Sequence, residues 1–184
     1  MTRRAKRSLV WTGILLVMLV TLGGAWWRVW YREHYPYGWS HSCDSQLDCA
    51  LRQYAQTQGG WFPKGEATPE ASLSLLYREG LANEWLLHGK TAPRQLVKEI
   101  LERGDLLGPE TCGWHYVEGL RLDDHPQLAL FWDKVGLGHN GERLSTPGRW
   151  VYFGGGSREF IPADQWEAFL EGQRRLWAEF KGGR

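Results

Sequence analysis

The residues with the most obvious capacity for chemistry lie in a Gly-rich stretch late in the chain. There His139 has Asp133, Lys134, Asn140 and Ser145 close in sequence. A His within reach of a carboxylate and a hydroxyl can move a proton or activate a nucleophile. His139-Asn140-Gly141 is equally good turn chemistry, because Asn and Gly tolerate the backbone of tight turns, and the turn is the role expected here. Gly154 to Gly156 has the look of a phosphate cradle but lacks the Lys-Ser/Thr and the immediate helix that a P-loop needs. It reads as a hairpin turn. Gly155-Gly156-Ser157-Arg158 has no closing Gly and so is no nucleophile elbow.

Asp123-Asp124-His125, with Glu118 nearby, offers hard oxygens without the Asp-x-Asp-x-Asp spacing of a calcium loop, and reads as a solvated acidic loop. His115 alternates with Trp114 and Tyr116 as one face of a strand would. His125 precedes Pro126 as a turn residue, and His34, His41 and His88 have no partner pattern. The spacing of Cys43 and Cys49 fits no common zinc pattern. Cys112 is the third cysteine, and all three follow the first apolar run, so a structural disulfide is expected with one thiol left over. Which two residues pair is open, and free buried thiols are the alternative. No catalytic, cofactor-binding or metal-ligating residue is assigned, and the chain reads as non-enzymatic.

The element that must position everything else is the apolar run from Leu9 to Trp27, which carries no charged residue. As a helix rising ~1.5 Å per residue it covers roughly the ~30 Å hydrocarbon core of a bilayer. Arg3, Arg4, Lys6 and Arg7 precede it, while Trp26, Trp27, Trp30, Tyr31, Tyr35, Tyr37 and Trp39 follow as an interfacial belt would. The basic flank predicts a cytoplasmic N-terminus and an exported remainder. A cleaved signal peptide competes, but the run exceeds the usual apolar length and Gly23-Gly24-Ala25 is a loose cleavage site. A buried core helix would rarely stay this apolar all round.

The net charge is +1, and the four leading basic residues account for more than all of it. Beyond them, 18 Lys+Arg face 21 Asp+Glu, which argues against a nucleic-acid binder. The 12 Trp residues must be shared between core and a membrane-facing rim.

Further on, Ser45 with Asp48 resembles a capping box opening a helix that carries Leu47, Leu51, Tyr54 and Ala55 on one face. Gly59-Gly60 stops it, and Trp61-Phe62-Pro63 leaves as an extended apolar plug. Thr68-Pro69-Glu70 predicts another helix start, with Leu73, Leu75, Leu76 and Tyr77 apolar and Gly80 at its end. A short helical turn is expected within Leu81 to His88. A further helix opens at Thr91 to Pro93, with Leu96, Val97, Ile100 and Leu101 on its buried side and Gly104 after it. From Cys112 the period changes. Trp114 to Glu118, Leu128 to Trp132, Arg149 to Phe153 and Glu159 to Ile161 read as strands bounded by Gly, Pro or Asp. Asp164 to Phe180 closes the chain as a helix with Trp166, Phe169, Leu170, Leu176, Trp177 and Phe180 in a stripe and a Glu171–Arg175 pair.

Two stretches resemble a known group. In Leu51 to Pro63, a helix carrying Leu and Tyr runs into Gly-Gly and then an aromatic-Pro plug. Leu130-Phe131-Trp132-Asp133-Lys134, His139-Asn140-Gly141, Trp150-Val151-Tyr152-Phe153 and Phe160-Ile161 follow in order, with Cys112 ahead of them. Together these are similar to type II secretion major pseudopilins and their type IV pilin-like relatives, across roughly residues 45–161. The resemblance implies a pilin-like head, in which a helix leading from the membrane packs on a small antiparallel sheet.

The expected architecture is α+β: a basic tail over 1–8, a transmembrane anchor over 9–30, a juxtamembrane linker over 31–44 and an exported pilin-like head over 45–184. The expected partners are the lipid bilayer, through Leu9–Trp27, and other envelope proteins. The expected role is structural or protein-interacting, at a bacterial inner membrane. An exported ligand- or lipid-binding module whose Trp-rich head rests on the membrane is the alternative, with a hydrolase using the His139 loop behind it.

Overall fold

In the computed structural model, residues 3–182 are described, with side chains from residue 11 onward. The side chains of Arg3, Arg4, Lys6, Arg7, Leu9 and Val10 therefore lie outside the described residues. Helix α1 (Arg3–His34) runs unbroken past the expected end of the anchor, so Tyr31 to His34 are helical. It stops where Pro36 can no longer donate a backbone hydrogen bond. Its apolar window, Trp11–His34, has a mean hydropathy of 1.5, and none of it is buried against the rest of the chain. That excludes the core-helix reading. Among the described residues this is the one helix long and apolar enough to cross a membrane.

Helix α2 (Asp44–Thr57) buries Leu47, Leu51, Tyr54 and Ala55 as expected, but not through the expected cap. Cys43 is the N-cap and makes no side-chain capping bond. The Ser45 hydroxyl instead lies 3.0 Å from the Tyr152 hydroxyl across the fold. Helix α3 (Pro69–Arg78) does start at Thr68, whose hydroxyl accepts from the Ala71 N–H at 3.1 Å. Helix α4 (Glu84–Leu87) is a single turn, capped by Asn83. Helix α5 (Arg94–Glu102) buries Val97, Ile100 and Leu101 but leaves Leu96 exposed, contrary to expectation.

Strands β1 (Trp114–Tyr116), β2 (Ala129–Asp133), β3 (Gly148–Phe153) and β4 (Arg158–Pro162) pair antiparallel in chain order, as the meander expectation required. Alternation gives the sheet two apolar faces. Trp114, Tyr116, Phe131 and Tyr152 join the main core with α2 to α5. Ala129, Val151, Phe153 and Ile161 form a second layer under Trp132, Trp166 and Phe169. Helix α6 (Trp166–Gly182), entered through a short 3-10 turn at Ala163–Gln165, covers that second face. A register shift between Ala129 and Phe131 breaks the ladder, and Gln173 of α6 accepts the Ala129 N–H at 2.8 Å. The sheet is thus enclosed on both sides, more than a head helix alone would achieve.

The expected disulfide is absent: Cys43, Cys49 and Cys112 are free, half-buried, exposed and buried respectively. Cys49 faces outward from α2, whereas Cys112 sits in the main core, where burial pushes its thiol up to about 12. Iodoacetamide should therefore alkylate Cys49 first, Cys43 more slowly and Cys112 after unfolding alone. Intact-mass spectrometry of the native protein without reductant reads this, and a Cys49 that reacts only after reduction would contradict it.

Candidate functional site

Two adjoining clefts flank the segment between α1 and α2, and one exceptional buried ion cluster supports them. Its centre is Lys90, whose side chain is 1% exposed. The ammonium sits 2.5 Å from Asp133 Oδ2 and 2.9 Å from Asp44 Oδ1. These residues come from the turn after α4, the end of β2 and the first turn of α2. A close glycine contact sets the depth of that turn. Gly89 has φ +62, and a Cβ on it would come within 2.8 Å of the Gly113 backbone. Side chains at either position would push the turn off β1 and lift Lys90 from its carboxylates.

The charges in the cluster do not balance in the ordinary way. Burial disfavours the Lys90 ammonium, but Asp133 and Asp44 outweigh it and raise its pKa. Burial likewise works on Asp133, overriding the pull of Lys90 and pushing its carboxyl up to about 7. Among the described residues Asp133 Oδ1 has no hydrogen-bond partner, consistent with a carboxyl that holds its proton readily. An acid raised in the folded state binds its proton more tightly there than in the unfolded chain. Asp133 therefore favours folding most at acid pH, and that contribution is lost as pH rises from its unfolded value of 3.8 through about 7.

A polar cleft of about 500 Å³ opens above Lys90, lined among others by Cys43, Asp44, His139, Glu142, Tyr152 and Arg158. The sequence candidates are distributed around it without forming a reactive group. His139 is exposed and meets the His41 ring edge-on at 4.2 Å. Among the described residues its ring makes no hydrogen bond to a carboxylate or hydroxyl. Asp133 is committed to Lys90, Lys134 to Glu70 at 3.1 Å and to the Pro109 carbonyl, and Ser145 is exposed.

The His139 loop instead grips the chain leaving α1. The Asn140 carbonyl accepts from Ser40 N–H at 3.0 Å, and Asn140 Oδ1 accepts from His41 Nδ1 at 3.1 Å. The Arg143 N–H donates to the His34 carbonyl at 2.8 Å, occupying an orphan acceptor of the last turn of α1. Gly141, with φ +82, fits against the Gly38 carbonyl where a Cβ would lie 3.0 Å away. On the other side of the segment, Ser42 donates to the Leu86 carbonyl at 3.2 Å. Ser40 Oγ lies 3.3 Å from His88 Nε2 and 3.1 Å from the Gly89 carbonyl. His88 Nδ1 faces the Ala92 carbonyl at 3.1 Å and must donate to it, leaving Nε2 as an acceptor that shares the one Ser40 hydroxyl proton with the Gly89 carbonyl. Burial lowers the His88 pKa and keeps that ring neutral.

The other candidates are held in local structure. Gly154–Gly156 forms the β3–β4 hairpin, with Phe153 N–H donating to the Ser157 carbonyl at 3.0 Å. Its outward groups are carbonyls: those of Phe153 and Gly154 each accept from the Arg52 guanidinium at 3.0 Å, the opposite polarity to a phosphate cradle. Asp124 accepts from Arg121 N–H at 2.7 Å, Asp123 pairs with the Arg121 side chain at 3.0 Å, and Glu118 accepts from Ser72 and Gly65. His115 stands on the sheet beside Trp132 with ring centroids 5.5 Å apart. Sequence reasoning did not single out Lys90, Asp44, Ser40 or Ser42. Their partners lie more than 40 residues away, so no local spacing announces them.

Replacing Lys90 by Met should lower stability by about 3–5 kcal/mol near pH 8, because buried Asp133 and half-buried Asp44 lose their counter-ion. The loss should shrink near pH 5, where Asp133 takes up a proton. Urea unfolding in detergent micelles, followed by near-UV circular dichroism, measures both, and an equal loss at the two pH values would rule out Asp133 as the responsive group. Comparison with known protein families, with curated proteins and with solved structures finds no match for this chain.

Proposed function

We propose that this chain is a non-enzymatic, single-pass envelope protein that displays its α+β head at the outer surface of a bacterial inner membrane, with the N-terminus in the cytoplasm. Its role is structural or protein-interacting. One observation carries the reading. None of the apolar window of α1 is buried against the rest of the chain, yet the last turn of the helix is hydrogen-bonded to the head. A helix whose Leu15, Leu16, Leu19, Val20 and Leu22 are all exposed needs an apolar environment from outside the chain. A head fixed to the helix end is then presented at a set height and orientation.

The pilin-like reading of the head draws support from the order of membrane helix, head helix and antiparallel meander. Three features separate it from a filament subunit. Ser8-Leu9-Val10-Trp11-Thr12 stands where a prepilin cleavage motif would be, and no Glu lies inside the apolar run. The chain also turns between α1 and α2 instead of continuing as one rod. A permanent tether fits these departures better than assembly does. The loop that could have served a hydrolase spends its polar groups on docking the juxtamembrane segment.

The test is fractionation of the native protein with intact-mass analysis. The full-length chain should partition with membranes, resist carbonate and high salt, and need detergent for release. Protease added outside right-side-out vesicles should digest the head. A free, soluble chain that begins near Ala25 or Trp26 would overturn the proposal.

A further inference from the structure

Beside the polar cleft lies a second one of about 330 Å³, and its position relative to α1 is what gives it meaning. It is lined by Trp39, His41, Cys43, Gln46, Asn83, Trp85 and Leu86. Its two large walls are unusual surface residues: Trp39 is 55% exposed and Trp85 is 39% exposed, and Tyr37, two residues before Trp39, is 54% exposed. A soluble surface rarely gathers three such rings without a use for them.

The backbone ties this patch to the membrane exit. The Trp39 N–H donates to the Tyr31 hydroxyl at 3.0 Å, and Tyr31 lies about one turn before the end of α1. The chain therefore folds back beside the helix after Pro36, setting Trp39 alongside the last turn instead of above it. That last turn already carries the aromatic belt. Trp27 stacks on Trp30 at 5.0 Å, Trp30 on His34 at 4.2 Å, and Tyr31 meets Tyr35 at 5.1 Å. Residues 39–42 then run beside the 86–89 segment through the Ser40 and Ser42 hydrogen bonds, which brings Trp85 across from Trp39. The belt of α1 is thus joined to the aromatic face of the head through the Tyr31–Trp39 hydrogen bond.

The charges nearby suit the same surroundings. Arg28 and Arg32 flank the helical aromatics. The Arg94 guanidinium lies 3.5 Å from the Trp85 ring centre, paired with Glu84 at 2.9 Å. Trp and Tyr rings with an apolar body and a polar edge, rimmed by Arg, are the composition that partitions to lipid headgroup level.

We infer that the Tyr37–Trp39–Trp85 face is a membrane-docking surface, resting in the outer headgroup region of the same bilayer that α1 crosses, with the cleft between Trp39 and Trp85 filled by lipid. This rests on the reading of α1 as a membrane anchor. The occupant is lipid because the face is continuous with the helix belt and cannot leave it: hydrogen bonds on both sides of residues 38–42 hold it there. The head accordingly lies against the membrane with this face, and its remaining surface is the part available to partners.

The experiment uses the full chain labelled with 5-fluorotryptophan in vesicles of phosphatidylcholine and phosphatidylglycerol. Fluorine spectra are recorded with and without a lipid carrying a nitroxide on its headgroup. Signals are assigned by loss in Trp39→Phe, Trp85→Phe, Trp26→Phe and Trp27→Phe, while the labelled unsubstituted chain supplies the measurement. The Trp39 and Trp85 signals should broaden at least twofold with the nitroxide lipid, as those of Trp26 and Trp27 do, while that of buried Trp114 stays sharp. Broadening of Trp26 and Trp27 with sharp Trp39 and Trp85 signals would overturn the docking face while leaving the anchor standing, and would free that face for a protein partner. Sharp signals from all four would overturn the anchor and the docking face together.

Discussion

The chain's exit from α1 is the constraint on which the rest of the structure depends. Pro36 ends the helix, Gly38 turns the backbone with φ +86, and residues 39–42 are then held from both sides. One side is the His139 loop and the other is the turn after α4. Each hydrogen bond there is worth on the order of 1 kcal/mol net, but breaking the set would strand buried Ser40 and Ser42 without partners. The segment expected to be a linker is therefore docked on the head by hydrogen bonds. It joins the long apolar helix α1 to the rest of the fold through hydrogen bonds on both sides.

The Lys90 cluster supports that arrangement from below. Lys90 draws the start of α2 and the end of β2 to the turn that carries His88 and Gly89. Those two residues in turn hold Ser40. A buried ion group of this kind adds little net stability over an apolar replacement of the whole set. What it supplies is geometry, since one ammonium can satisfy both carboxylates in one position only. The two Gly residues at 89 and 113 permit the close approach, and the apolar layers on both faces of the sheet do the stabilising.

Much of the architecture was legible in the sequence because its signals are local. Thr68-Pro69 announced α3, and the Gly- and Pro-bounded aromatic runs placed all four strands and their meander order. The site was far less legible. The polar groups of the His139 loop are real, but their partners are Ser40, His41 and His34, about 100 residues earlier. Ser45 has the type and spacing of a cap, yet the Tyr152 hydroxyl competes for it. Leu96 fits the apolar stripe of α5 but falls just beyond the reach of the core, and the three cysteines do not pair because the fold sends them to different surroundings. In each case tertiary placement overrode a correct local pattern.

The hydrogen bonds on both sides of residues 39–42 fix the head to α1 instead of letting it swing. Amide hydrogen exchange of the full-length protein in lipid bilayers tests this most directly, at the Ser40 and Arg143 N–H groups that donate to Asn140 and His34. Both should exchange slowly, within about an order of magnitude of the β2–β3 ladder amides. Exchange of both at the rate of unstructured chain, with the ladder still protected, would contradict a fixed head.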